Sequence, residues 1–105
     1  MKTFSERVVL LALSIPKGRV TTYGRIAKAS GAGPMASQSI TGILGKAYDA
    51  GAHSIPFHRI VYADGRIWIS ERHRKERMKL YKKEGIEIDE NDKIKDFHRM
   101  VLDFK

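Results

Sequence analysis

The sequence predicts a mainly α-helical chain carrying one small β-hairpin, arranged as a winged helix-turn-helix. Three features predict it. Apolar residues recur at helical spacing through the first half of the chain. Two of the short helical stretches there are joined by a glycine-containing turn, Gly31-Ala32-Gly33-Pro34. Further on, Asp64-Gly65 separates Ile60-Val61-Tyr62 from Arg66-Ile67-Trp68-Ile69, the pattern of two strands closed by a tight turn.

Each element follows from local chemistry. Thr3-Phe4-Ser5-Glu6 has capping-box spacing, and Phe4, Val8, Leu11 and Ile15 recur at helical intervals, so a first helix runs from about Phe4 to Ser14. Pro16-Lys17-Gly18 ends it, and Arg19-Val20-Thr21 is a short extended link. Thr22 stands in the N-cap position of a second helix, Tyr23 to Ser30, with Gly31 just past its end. A third helix starts near Pro34 or Met35 and runs to Tyr48 with Ile40, Ile43, Leu44 and Ala47 inward; as the second member of the helix-turn-helix it is the recognition helix. Its small residues Ala36, Ser37, Ser39, Thr41, Gly42 and Gly45 permit close approach, and composition alone favours a neighbouring helix over an external surface as the reason.

After a loop from Asp49 to Ser54, Ile55-Pro56 forms a stiff extended approach, because proline fixes its own φ and restricts the residue before it. It aims Phe57, His58 and Arg59 at the mouth of the Ile60-Val61 strand. Ser70-Glu71 opens a basic helix reaching about Glu84, with Arg77, Leu80, Tyr81 and Glu84 on one face and Gly85 as its stop. Ile86-Glu87-Ile88 is extended, Asp89 to Lys93 is a polar loop, and Phe97, Met100, Val101 and Phe104 mark a closing C-terminal helix.

At 105 residues with 42% hydrophobic positions, the expectation is one globular domain over residues 1–105. No apolar run reaches membrane-spanning length, and the start lacks a signal-peptide pattern. The chain has no cysteine, which excludes disulfides, thiolate metal sites and a cysteine nucleophile. No metal constellation or cofactor motif accompanies the histidines, so neither a metal nor a cofactor is expected. The formal charge is +8 and uneven: through Arg59 only Glu6 and Asp49 oppose eight basic residues, and Arg72, Arg74, Lys75, Arg77, Lys79, Lys82 and Lys83 form a second cluster. Such asymmetry points to a polyanion, with nucleic acid the leading partner.

The motifs are more specific in order than singly. Residues 15–27 (Ile-Pro-Lys-Gly-Arg-Val-Thr-Thr-Tyr-Gly-Arg-Ile-Ala), residues 55–61 (Ile-Pro-Phe-His-Arg-Ile-Val), Asp64-Gly65-Arg66-Ile67 and Glu84-Gly85 follow one another. Over roughly Phe4 to Gly85 the chain resembles the DNA-binding, active-site domain of the O6-alkylguanine-DNA alkyltransferases, and more closely the stand-alone alkyltransferase-like proteins. The resemblance implies an alkyltransferase C-terminal-domain-like fold. In the family's enzymes the residue between proline and histidine is the cysteine that takes the alkyl group; here it is Phe57. A phenyl ring forms no thioether, so the resemblance implies recognition without transfer and no catalytic residue. Phe57, His58 and Glu84 then make a degenerate site, His58 and Glu84 matching the relay that activates the missing thiol.

The same resemblance implies a lesion pocket walled by Pro56, Phe57, Ile60, Val61, Trp68 and Ser70, with the loop through Ile69 and Glu71 beside it. It implies DNA contacts from Thr22, Tyr23, Arg25, Ala36, Ser37, Gln38, Gly42 and Arg59, with Tyr23 pressing on the phosphate of the rotated nucleotide. One departure stands out. The family's arginine that fills the gap left by a flipped base aligns with Gln38, and no arginine occurs between Arg25 and Arg59. The implied function is recognition of O6-alkylguanine in duplex DNA by a monomer, cytoplasmic and nucleoid-associated, that hands the site to the damage-recognition proteins of nucleotide excision repair. Two other readings remain at this point: a winged-helix regulator of undamaged operators, and an enzyme using His58 and Glu84.

Overall fold

Thr3 starts the first helix. Its hydroxyl accepts the Glu6 amide at 3.1 Å while the Glu6 carboxylate accepts the Thr3 amide at 3.4 Å, the reciprocal pair its spacing announced. The structure is a computed structural model and describes residues 3–68 and 70–104. In chain order it contains α1 (Phe4–Leu13), β1 (Thr21–Thr22), α2 (Tyr23–Ala29), α3 (Ser37–Asp49), β2 (Ile60–Val61), α4 (Arg74–Lys83) and α5 (Phe97–Met100). Short 3-10 turns lie at Pro34–Ala36, Phe57–Arg59 and Glu71–His73. Thr22 caps α2, its hydroxyl accepting the Arg25 amide at 3.2 Å, so one residue ends a strand and starts a helix. α3 starts at Ser37, after the 3-10 turn, rather than at Pro34 or Met35.

The expected hairpin is corrected. β2 pairs in parallel with β1, Thr21 opposite Ile60 and Thr22 opposite Val61. Asp64-Gly65 does make its turn: the Gly65 amide donates to the Tyr62 carbonyl and the Tyr62 amide to the Arg66 carbonyl, both at 2.9 Å. Beyond it, however, the Ile67 amide donates to Asp92 at 2.8 Å, and Arg66 forms an antiparallel bridge with Lys93. The physical reason is burial. Ile60 and Val61 are both inaccessible, which suits a parallel pair covered on both faces and not a solvent-exposed wing. Of the expected second strand, Ile69 lies outside the described residues.

This two-stranded sheet divides the interior. Successive strand residues point to opposite faces, and so Ile60 joins Val8, Ala12, Ile15, Ile26, Ile40 and Leu44 of the α1–α2–α3 core. Val61 joins Val20, Ile67, Tyr81, Ile86 and Ile94 in the second core beneath α4. The C-terminal segment is also corrected. Only one turn of helix forms, and Val101 then pairs in parallel with Val20, the Val20 amide donating to Met100 at 3.1 Å and the Leu102 amide to Val20 at 2.7 Å. Backbone groups of Val20 left open on the side away from β2 take up the chain end, and this overrides its helical spacing.

Gly65 and Gly85 separate two costs of a positive φ. Gly65 has φ +86°, and a Cβ there would stand 3.0 Å from Cγ of Phe97; Gly85 has φ +75° with nothing near. Alanine at Gly85 should cost about 1–2 kcal/mol from backbone strain alone. Alanine at Gly65 should cost clearly more, read from urea unfolding midpoints. Equal costs would show that Phe97 yields freely.

Candidate nucleic-acid interface and lesion pocket

The turn at Phe57–Arg59 is held from beneath by one carboxylate. Ile55 and Pro56 are buried, and the Arg59 amide donates to the Pro56 carbonyl at 2.9 Å, closing the turn. Its next two side chains both reach Glu84, at the end of α4. Nε2 of His58 lies 2.7 Å from Oε2, while Arg59 grips both oxygens, Nε at 2.9 Å and Nη2 at 2.7 Å. The Gly18 amide adds a fourth donor at 3.2 Å, and Nη1 of Arg59 donates to the Ile15 carbonyl at 2.9 Å.

The charges follow from these contacts. Burial pushes the Glu84 carboxyl up, but the hydrogen bonds from Arg59, His58 and Gly18 outweigh it and hold the group down at about 2. An ionised carboxylate only accepts, so Nε2 of His58 carries the proton in this bond. Burial lowers the His58 imidazole below the usual histidine value, more than its bond to Glu84 raises it. A neutral imidazole, a guanidinium and a carboxylate therefore meet in a buried, fully hydrogen-bonded cluster. The edge of the buried Tyr81 ring closes over His58, centroids 5.9 Å apart.

This arrangement turns one expected DNA contact, Arg59, inward. The Arg59 guanidinium points inward, its side chain 14% exposed, with Glu84 and Ile15 as its partners. Glu84 draws it there because a buried carboxylate demands a bidentate cation. Of the other expected residues, Thr22, Pro56, Ile60 and Val61 are buried, Ile60 and Val61 within the two cores, while Phe57, Tyr23, Trp68, Gln38 and Gly42 keep accessible surface. Phe57 is half-buried on the turn, and its ring meets Tyr48 edge-on at 5.9 Å; Tyr48 in turn tilts over His53 at 4.6 Å. Tyr48 and His53 were missed by sequence reasoning, although an aromatic at the end of α3 facing a histidine in the following loop was the available signal.

Tyr23, first residue of α2, is half-buried with its ring 5.7 Å from Tyr62. Burial raises its pKa, so the phenol stays neutral and able to donate at neutral pH. Arg66 lies 4.9 Å over Tyr62. Trp68 is 48% exposed, with the Arg77 guanidinium 5.9 Å from its ring. Ser70 carries a buried hydroxyl that finds no hydrogen-bond partner among the described residues. Arg25 pairs with Asp103, an exposed and exchangeable contact.

On α3, Gln38 and Gly42 are exposed, while Ala36 and Ser37 are half-buried at its start. A Cβ at Gly42 or Gly45 would touch nothing within 4 Å, so packing inside the chain does not require glycine there. Among the described residues no group of histidines and carboxylates has the makings of a metal site, and no helix is long and apolar enough to cross a membrane.

Residues 3–86 match the family described as "6-O-methylguanine DNA methyltransferase, DNA binding domain". The chain belongs to that family. It is 31% identical over 94 residues to a "DNA base-flipping protein" of Vibrio parahaemolyticus serotype O3:K6 (strain AQ3810), covering 90% of this chain and 91% of the relative. It is 40% identical over 65 residues to the protein of the same name from Escherichia coli (strain K12), covering 62% of this chain. There the match spans 48%, about half, of the relative's length. Two structures of the S. pombe proteins Atl1, in complex with damaged DNA containing O6-carboxymethylguanine, and ATL, in complex with DNA, share the fold: TM-score 0.73 for both, at 24% and 23% identity, over 99% of this chain and 100% of theirs. The fold is thus alkyltransferase-like, mostly helical with a small parallel sheet.

Within this family domain the Glu84 cluster sets a pH dependence. Its folded pKa lies below the ordinary carboxylate value of 4.5, so its stabilisation is present above that value and lost as pH falls towards about 2. His58 is also depressed, so folding loses stability as pH drops through the histidine value of 6.5. Both act in the same direction. Unfolding midpoints should fall stepwise on acidification, and Glu84→Gln should cost on the order of 3 kcal/mol at neutral pH while flattening the lower step. A variant as stable as the parent would show that the cluster contributes nothing net.

Proposed function

We propose that the chain is a non-enzymatic sensor of O6-alkylguanine in duplex DNA, which turns the altered base outwards against Phe57 and flags it for nucleotide excision repair. The observation that carries this reading is Phe57 itself: an aromatic ring on a braced turn, where the family's enzymes hold their reactive cysteine, in a chain without a thiol. The names of the relatives, DNA base-flipping proteins, support it, as does the likeness to a protein bound to O6-carboxymethylguanine DNA.

Each part then has a task. A base stacked on Phe57 gains about 1–3 kcal/mol, and the Tyr48 edge keeps that ring from turning away. The unpartnered Ser70 hydroxyl offers the extruded purine a hydrogen bond. Tyr23 presses on the rotated phosphate, and the open surface at Gly42 and Gly45 lets α3 approach the minor groove. Gln38 fills the vacated stack; it bonds the orphaned cytosine but lacks an arginine's stacking plane. Alkylation weakens pairing and lowers the cost of extrusion, a few kcal/mol for an intact pair. The implied partners are the excision-repair proteins that read the distorted duplex, and the sensor acts as a monomer. The regulator reading loses its footing with the wing, which does not form as an exposed ribbon.

Anisotropy titrations with O6-methylguanine and guanine duplexes test the reading. The parent should prefer the lesion, and Phe57→Ala should reduce that preference about tenfold, or about 1.4 kcal/mol. Tyr23→Phe should weaken both duplexes by a few-fold, keeping the ring contact with Tyr62 and losing one hydrogen bond of about 1 kcal/mol. Equal affinity of the parent for the two duplexes would sink the proposal.

A further inference from the structure

The lesion reading leaves unused the most basic surface of the molecule. Between Arg72 and Lys83 there are seven lysines and arginines against one acid, Glu76. Two of the cations have partners in the chain: Arg74 pairs with Asp92 at 2.8 Å, and Arg77 lies over Trp68. The other five, Arg72, Lys75, Lys79, Lys82 and Lys83, are exposed, and among the described residues none forms an ion pair. On an α-helix Lys75, Lys79 and Lys82 fall within about 60° of one another. They form a ridge on the side of α4 opposite buried Tyr81 and the Glu84 cluster. Arg77, which faces Trp68, lies about 160° around the helix from Lys79. The ridge and the lesion pocket therefore look in different directions.

Length and composition indicate what the ridge fits. From Arg72 to Lys82 it extends about 15 Å at 1.5 Å per residue, the rise of about four successive phosphates on one strand. Protein interfaces are built on aromatic, methionine and arginine anchors and are depleted in lysine. Here lysine dominates, the exposed Leu80 lies about a third of a turn aside, and half-buried Met78 packs into the second core. Flexible ammonium groups on exposed stems suit a phosphate backbone held without regard to sequence.

We infer that the α4 ridge is a second DNA-backbone site, which holds a duplex segment other than the one gripped by α3. The inference goes beyond lesion recognition and does not depend on it. In sedimentation at low salt, the whole chain is loaded with a labelled O6-methylguanine duplex and then given an undamaged duplex carrying a different label. Both labels should co-sediment with the parent. The variant K75Q/K79Q/K82Q/K83Q should weaken the second duplex by at least about tenfold, with a salt slope about 3 units shallower for its lost phosphate contacts, while the first duplex stays within about twofold. These side chains are exposed, so the variant keeps the folded core, and circular dichroism checks it.

Saturation at one duplex per protein overturns the inference. So does a variant that still holds the second duplex, or loses the two together. Capture of polyglutamate in place of the second duplex at the same ionic strength overturns it as well, by giving the ridge to an acidic polypeptide. Lesion preference is a separate readout: its loss in the parent would strike the proposed function and leave the second site standing.

Discussion

The Glu84 carboxylate is the constraint on which the rest of the site depends. It joins three distant parts of the chain: the loop at Gly18, the turn at His58 and Arg59, and the end of α4. Two of these contacts carry charge in an enclosed setting, where a carboxylate left alone would be costly, so the four donors come as a set. Satisfying that carboxylate fixes where Phe57 sits. The hydrogen bonds of His58 and Arg59 to Glu84 brace that turn.

The parallel pairing of β1 and β2 completes the frame. Because Thr22 is paired with Val61 and also caps α2, the residues that follow each of them, Tyr23 and Tyr62, come out side by side. Register thus sets Tyr23 beside Tyr62, on the segment that leads away from the Phe57 turn. The sheet is too short to be stable alone, and it is clamped by a hydrophobic core on each face and by the Val20–Val101 pairing at its side. That architecture leaves α4 with one face buried and the other a ridge of cations that form no ion pair among the described residues.

Helices with local signals were legible in the sequence. The capping box at Thr3 and Glu6, the Thr22 cap and the apolar stripe of α3 each reported a local event, and each formed as read. Partnerships between distant segments were not legible. Ile60-Val61 looked like half of a hairpin because Asp64-Gly65 is a true turn, yet its hydrogen bonds go to a strand some forty residues earlier. The helical spacing from Phe97 to Phe104 gave way after one turn to backbone pairing with Val20. The inward turn of Arg59 was not legible either, because Glu84 lies 25 residues further along the chain. Phe57, His58 and Glu84, by contrast, were legible through motif order, and the structure brings His58 and Glu84 within hydrogen-bonding distance.

The proposed function rests on the braced turn and the aromatic ring at its tip, in a chain without cysteine. In the proposed function the damaged base leaves the helix, and the base left behind can report it. A fluorescent cytosine analogue placed opposite O6-methylguanine is quenched while stacked and paired, and brightens when its partner is withdrawn. Its emission should rise on adding the protein, stay unchanged for the same duplex carrying guanine, and rise much less with Phe57→Ala. Saturable binding with no change in emission would contradict the proposed function, because the lesion would then be read without being turned out of the stack.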